Sequence, residues 1–393
     1  MKIESKVVHS GDRQKGGDYV PVTTPIYTAT TYSYDSMERL DRVLGGEEKG
    51  PSYIRYENPT TSAFEILMAD LENGHGAVAC SSGMSALHIS LLAALMDRPR
   101  RIVAASALYG STVSMLMNVL GPMGIETAFA DFCDLGAIEE AIAESKPGLL
   151  LMETISNPLL RVGPIDRIAE IAKRAGAPLV VDSTFATPML VRPLELGANI
   201  VIHSATKYLA GHGDVLGGVI VADQENFDVI KPLAVTLGPS MSPFESYLTM
   251  RGIKTLSLRM ERQCSNACKI SSWLATHLRV ECVYFTGDPA HPDAATITRL
   301  FPKNLNGAMV AFELKDAGRD EVYRFIEGLK MIVRGTSLGD VHTMIAYPAI
   351  SSHRDISPKQ RLRMGIRDNL VRISIGIEAA EDIVGDLDQA FGL

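Results

Sequence analysis

Cysteine is scarce and scattered in this chain. Cys80, Cys133, Cys264, Cys268 and Cys282 are five in 393 residues, an odd number, with no C-x-x-C pair and no H-E-x-x-H. Neither a structural zinc site nor a disulfide is expected. Cys264 and Cys268 lie four apart on a helix-like segment, a spacing that marks a packed face more often than a metal site. Basic blocks are also missing, and the net charge is −8, from 38 Lys and Arg against 46 Asp and Glu. That balance argues against nucleic acid. No run reaches membrane-spanning length, and Met1 to Ser10 lacks a signal-peptide apolar core. No internal repeat or low-complexity tract is found. The expectation is a reduced, cytoplasmic protein without membrane or nucleic-acid partners.

Apolar material, in contrast, is plentiful. Hydrophobic residues make up 46% and charged residues 21%, so a large core is available, and the length predicts two domains with an arm. From about 75 to 225, strand and helix patterns alternate. Strands are expected at 101–106, 125–130, 149–153, 179–182 and 199–203. Pro164 to Arg174 reads as an amphipathic helix opened by proline and closed by Gly176. Near-continuous apolar strands between such helices predict a mostly parallel sheet covered on both faces. Ligands of such sheets sit beyond the carboxyl ends of the strands, where Glu153-Thr154, Asp182-Ser183 and Ser204 to Lys207 fall. After 225 the pattern becomes a smaller α+β unit, with a helix over 257–276, strands at 280–285, 309–314 and 369–375, and a helix over 319–328. The first 60 residues show little periodicity, which suits a segment packing on a partner.

Three motifs carry chemistry. Lys207, in Ser204-Ala205-Thr206-Lys207-Tyr208, follows the apolar run Asn199 to His203. A lysine there is either a surface loop residue or one that is neutralised or used covalently. Ser81-Ser82-Gly83-Met84-Ser85-Ala86-Leu87 reads either as a serine-capped helix or as a phosphate cradle at a helix N-terminus. Asp182 either caps the turn after its strand or partners a protonated ring nitrogen. The glycine turn Gly211 to Gly218 lacks a P-loop ending and misses G-x-G-x-x-G by one residue, so a nucleotide is not expected there.

Taken together, these residues resemble a known family. Ser204-Ala205-Thr206-Lys207-Tyr208-Leu209-Ala210-Gly211-His212 is similar to the cofactor-lysine signature of the Cys/Met-metabolism enzymes, the γ-family of fold-type I pyridoxal-phosphate proteins. Tyr53-Ile54-Arg55-Tyr56-Glu57-Asn58-Pro59-Thr60, Ser82-Gly83-Met84, Leu108-Tyr109-Gly110, Asn157-Pro158, Asp182 to Pro188, Ser337-Leu338-Gly339 and Arg372 to Glu378 match in order. Several ordered matches are far more specific than any one.

The resemblance implies fold type I: an N-terminal arm over 1–58, a large cofactor domain over 59–250 with a mostly parallel sheet, and a C-terminal α+β domain over 251–393. It implies pyridoxal 5'-phosphate carried by Lys207, with Asp182 on the pyridine nitrogen and Tyr109 stacked on the ring. Gly83, Met84, Ser204 and Thr206 would hold the phosphate, and Tyr53 and Arg55 would reach that of the neighbouring subunit. Arg372 would pair with the substrate carboxylate, helped by Ser337 and Asn157. A homotetramer, a dimer of catalytic dimers, follows.

The implied reaction is γ-elimination from a homocysteine- or homoserine-type amino acid, with Lys207 as proton shuttle and Tyr109 as acid–base group. The alternatives are γ-replacement, as in cystathionine γ-synthase or O-acylhomoserine sulfhydrylase, and a non-catalytic cofactor-binding relative. Ser242-Pro243 and Met250 to Leu256 look closest to methionine and cystathionine γ-lyases. Ser111, in a substrate-binding place, stands where methionine γ-lyases usually carry cysteine. His342, His353 and Arg354 are either solvated or face the pocket. In the second case a polar leaving group, oxygen- or nitrogen-linked as in canavanine, is expected over methanethiol.

Overall fold

The computed structural model describes residues 1–13, 19–354 and 358–392. Its first sheet is built from β1 (Gly76–Cys80), β2 (Arg101–Ala105), β3 (Glu126–Ala130), β4 (Leu149–Glu153), β5 (Leu179–Asp182), β6 (Ile200–Ser204) and β7 (Gly218–Ala222), in the order β1-β7-β6-β5-β4-β2-β3. The pairs from β6 through β5, β4 and β2 to β3 are parallel, and β7 runs antiparallel to both its neighbours. Leu149 to Met152, Leu179 to Val181 and Ile200 to His203 are buried throughout. A strand covered on both faces has no solvent side, so its sequence does not alternate. Polar residues appear where each strand emerges: Glu153, Asp182 and Ser204.

Helices pack over this sheet and hold it in place. Ile165–Ala175 buries Ile165, Ile168, Ala169, Ile171 and Ala172 and ends at Gly176, whose φ of 69° a side chain would oppose. Asp166 lies in its first turn and Lys173 and Arg174 in its last, matching the helix dipole. Pro59–Glu72 is tied to β6 through Glu72 and His203, both buried and 2.7 Å apart.

The second sheet has the order β10-β11-β12-β9-β8, with β8 (Val280–Tyr284), β9 (Met309–Leu314), β10 (Val333–Arg334), β11 (Met344–Ala346) and β12 (Leu370–Ser374). Helix Leu256–Thr276 serves both units. Leu256, Met260 and Cys264 join the core of the first, and Ala267, Ile270 and Leu274 that of the second. A division at residue 250 falls inside helix Pro243–Ile253.

One expectation needs correction. The first 60 residues are not devoid of regular structure, since Ile3–His9 and Met37–Leu44 are helices. Both are short, and tertiary anchors hold the segment. Lys6 meets Asp70 at 2.9 Å, and Asp12 accepts from Thr24 and pairs with Lys254. Helices under two or three turns leave little periodic signal.

The stretch after Lys207 is clamped by buried Arg259, which donates to Tyr208 O and Gly252 O at 2.8 Å each. Gly211, at φ 70°, leaves room for the guanidinium. Arg259→Met should strand Tyr208 O, while Gly252 O keeps the Thr255 N–H and hydroxyl, and lower stability by about 1–3 kcal/mol. Urea unfolding checks this, and an unchanged midpoint contradicts it.

Candidate active site

A cavity of about 1020 Å³, counted out to bulk solvent, opens at the carboxyl ends of β4, β5 and β6. Its walls carry Gly83, Met84, Tyr109, Glu153, Asn157, Asp182, Ser204, Thr206, Lys207 and Arg372, drawn from both sheets and the loops between. Nine of these ten were expected at a site, and Glu153 was noted only for its place at a strand end.

Lys207 is half-buried, and Nζ donates to Ser337 Oγ at 2.8 Å. Burial, and then the charge of Arg372, push its ammonium below the usual lysine range. The surface-loop reading is therefore excluded. Ser337 meets the lysine here, not Arg372.

Asp182 Oδ1 accepts the N–H of Thr184 at 2.9 Å, so it does cap the following turn. It lines the cavity as well, and burial holds its carboxyl above the ordinary value against the Thr184 hydrogen bonds. The two readings of Asp182 are thus compatible.

Ser82 caps helix Gly83–Ala94. Its Oγ accepts Ser85 N–H at 3.1 Å while Ser85 Oγ accepts Ser82 N–H at 3.0 Å. The reciprocal cap leaves the N–H groups of Gly83 and Met84 to the cavity, since a helix start has no intrahelical partners for them. A Cβ on Gly83 would lie 2.9 Å from Ser204 Cβ, so glycine alone keeps this corner open. Thr206 Oγ1 donates to Gly217 O at 3.2 Å and accepts Gly217 N–H at 3.0 Å, so its own proton is engaged.

Arg372, on β12, is buried. Nη1 donates to Asn157 Oδ1 at 2.7 Å, the guanidinium lies 5.9 Å from the Phe185 ring centre, and Nε is buried without a partner. Burial lowers its pKa to about 10. Among the described residues no carboxylate forms an ion pair with it. A buried guanidinium in that state is strongly disfavoured unless an anion arrives.

The remaining expected residues lie elsewhere. Ser111 lines a neighbouring pocket, with Ser114 and Asn118, that shares Met84, Tyr109, Thr336, Ser351 and Ser352 with the main cavity. Tyr53 and Arg55 do not line the main cavity. Arg55 donates to Val235 O at 2.6 Å and lies 4.9 Å over the Tyr56 ring. His342 is not at the pocket: its side chain is 66% exposed, with Nδ1 2.9 Å from Asp340 Oδ1. Arg354 is exposed too. Both follow the solvated reading. His353 is buried, with Nδ1 2.8 Å from Ser352 Oγ, and Ser352 lines the cavity. The sequence assigns no role to Phe185, which lies inside the matched Asp182 to Pro188 run, or to Thr336, Ser351 and Ser352, because small hydroxyls and a phenylalanine carry no signal outside their fold.

The residues present fit pyridoxal phosphate: a desolvated lysine, a carboxylate at a buried strand end, a glycine-opened helix N-terminus with free N–H donors, and an arginine lacking its anion. Such a constellation defines an enzyme that handles an amino acid with an aldehyde cofactor. Residues 4–392 match the Cys/Met metabolism PLP-dependent enzyme family, and the chain belongs to it. It is similar to a cystathionine beta-lyase of Coxiella burnetii, at 38% identity over 99% of this chain and 97% of that one. An L-methionine gamma-lyase of Pseudomonas putida is 37% identical over 98% and 96%. A crystal structure of cystathionine gamma-lyase from Lactobacillus plantarum, complexed with L-serine, superposes with a TM-score of 0.92 at 35% identity, covering 100% of this chain and 99% of that one.

Burial, with Arg372 and Arg361 nearby, pushes His353 down to about 4. An unfolded imidazole takes up its proton near 6.5. Between those values the unfolded chain binds more protons, so stability is complete above about 6.5 and falls as pH drops toward 4. His353→Asn should flatten this slope. Melting temperatures at pH 7.5 and 4.5 test it, and equal slopes refute it.

Proposed function

We propose that this enzyme eliminates the γ-substituent of a homocysteine- or homoserine-type L-amino acid, releasing 2-oxobutanoate and ammonia. One observation carries the reading: a buried arginine without an anion faces a desolvated lysine across one cavity. Bound pyridoxal phosphate supplies an electron sink for charge developing at Cα. Lys207 would carry it, Asp182 would keep its ring nitrogen protonated, and Tyr109 would cover its ring. The N–H groups of Gly83 and Met84, with Ser204, would hold its phosphate, joined by Thr206 if its hydroxyl proton turns from Gly217 O.

Arg372 takes the substrate carboxylate in a bidentate fork, with Asn157 Oδ1 fixing the guanidinium plane. Lys207 Nζ removes the Cα proton, and its lowered pKa makes the neutral amine available as a base. Ser337 Oγ steers that amine. Tyr109 stands at the cavity mouth, 41% exposed, where its phenol exchanges a proton with the leaving group. The γ-substituent would extend toward Thr336, Ser351 and Ser352, where the cavity opens toward Ser111 and the two serine hydroxyls already meet Tyr347 O and His353 Nδ1. A leaving group able to exchange hydrogen bonds with these half-buried and exposed hydroxyls is therefore favoured over methanethiol, which can use none of them.

Lys207→Ala should lose the absorbance band of bound cofactor and all turnover. With wild-type enzyme, kcat/KM for methionine, cystathionine, O-acetylhomoserine and canavanine, with and without added thiol, settles the substrate. Methionine as the best of the four overturns the leaving-group preference. Thioether formation exceeding 2-oxobutanoate makes the enzyme a γ-replacement transferase, and pyruvate from cystathionine makes it a β-lyase.

We further propose a dimer as catalytic unit, pairing into a homotetramer, in the cytoplasm. Free thiols at all five cysteines accord with a reducing compartment. Tyr19 and Val22, on the arm, are 81% and 76% exposed, apolar surface that a second subunit would cover. Tyr53 and Arg55, which do not line their own cavity, would reach the partner's phosphate. Arg55→Ala should weaken cofactor retention about tenfold, the worth of one charge-assisted contact. Full retention, or an active monomer by light scattering, defeats this assembly.

A further inference from the structure

Glu153 is an acid that the proposed chemistry leaves without a task. It ends β4 in register with Asp182 at the end of β5, and register partners on parallel strands face the same side. Both line the cavity. Glu153 Oε1 accepts the N–H of Tyr109 at 2.6 Å, and the N–H of Asn157 donates to the same carboxyl. One side chain therefore ties the segment carrying the aromatic ring to the turn carrying Asn157, whose amide oxygen holds Arg372. On its other side Glu153 lines a second cavity, with Ser106, Asp131, Cys133 and Arg161.

The charges around it decide its protonation. Asp182 approaches from β5, Arg372 from β12, Lys207 from beyond β6 and Tyr109 from its loop. From the second cavity come Asp131, Cys133 and Arg161, and Arg161 is already held by Asp293 through two hydrogen bonds of 2.7 and 2.9 Å. Two neighbouring half-buried carboxyls at the end of an apolar sheet oppose each other's ionisation. Asp182 must be the anion if it holds a ring nitrogen's proton, so Glu153 takes the acid form. Burial and then Asp182 push Glu153 up to about 8, against the Tyr109 and Asn157 N–H groups and Arg372.

We propose that Glu153 is a positioning residue: as the neutral acid it anchors the Tyr109 and Asn157 segments by their backbone N–H groups, leaving Asp182 as the single carboxylate facing the cofactor. This rests on the pyridoxal-phosphate enzyme reading. Ionisation of Glu153 at higher pH adds a second negative charge beside the substrate carboxylate, so KM rises.

The test compares wild type, Glu153→Gln and Glu153→Ala as holoenzymes, reading cofactor retention, the absorbance of bound cofactor against pH, and kcat and KM. Far-UV circular dichroism serves as the fold control. Glu153→Ala should weaken cofactor retention about tenfold and lower kcat/KM by roughly 10- to 100-fold. Glu153→Gln, neutral and still an acceptor, should recover at least about tenfold of that loss and lack the wild-type rise of KM above pH 8. Glu153→Ala matching wild type in retention overturns the anchoring. Glu153→Gln as impaired as Glu153→Ala, or the same KM–pH curve in Glu153→Gln and wild type, overturns the neutral acid. Cofactor uptake by wild type is measured first, so failure of the enzyme reading shows there, and failure of the Glu153 assignment shows only between variants.

Discussion

Desolvation of charge at one end of an apolar sheet is the constraint on which this molecule turns. Lys207, Arg372, Asp182 and Glu153 share one cavity, and among the described residues none of the four is in an ion pair. Removing such groups from water costs several kcal/mol each unless they find partners. The fold supplies neutral ones: Ser337 for Lys207, Asn157 for Arg372, Thr184 N–H for Asp182 and Tyr109 N–H for Glu153. Full neutralisation is left to the cofactor and substrate, so the site is electrostatically incomplete in the direction of its ligands.

Holding that arrangement requires the two sheets to keep register with each other. Arg372 belongs to β12, with Ala311 and Ala346 as its strand partners, while Asn157 and Lys207 belong to the first unit. Helix Leu256–Thr276 contributes to both cores, and Arg259 at its start fastens the segment that follows Lys207. Gly339, at φ 76°, packs its backbone against Tyr208, bringing the Ser337 turn beside the lysine. The shared helix therefore helps set the separation of Arg372 from Lys207.

The cavity wall beside Tyr109 is polar without being charged. Thr336, Ser351 and Ser352 edge it with hydroxyls, and His353 is buried beneath Ser352. Its lowered pKa keeps it neutral at ordinary pH, so it orients a serine and adds no charge to the pocket. Gly110 lies directly against Ser352 O, which joins the Tyr109 loop to this wall. The proposed preference for a hydrogen-bonding leaving group rests on this uncharged surface.

Much of this was legible in the chain alone. The strands at 149–153 and 179–182, the helix at 319–328 and the residues at the strand ends announced themselves, because burial on both faces forces unbroken apolar runs and polarity resumes only where a strand emerges. The ordered motifs carried Lys207, Asp182 and Arg372 with their proposed roles. Other features depended on three-dimensional neighbours. The arm's first short helix is fastened to Asp70 through Lys6, and the segment after it to Lys254 through Asp12, both far along the chain. His342 and His353 look alike in sequence, yet one is solvated beside Asp340 and the other buried beside Ser352. Glu153 reads as one more acid at a strand end until the register with Asp182 places two carboxyls side by side. Periodicity and local motifs record what a residue does to its own segment, whereas burial, charge pairing and protonation are set by segments that only the folded chain brings together.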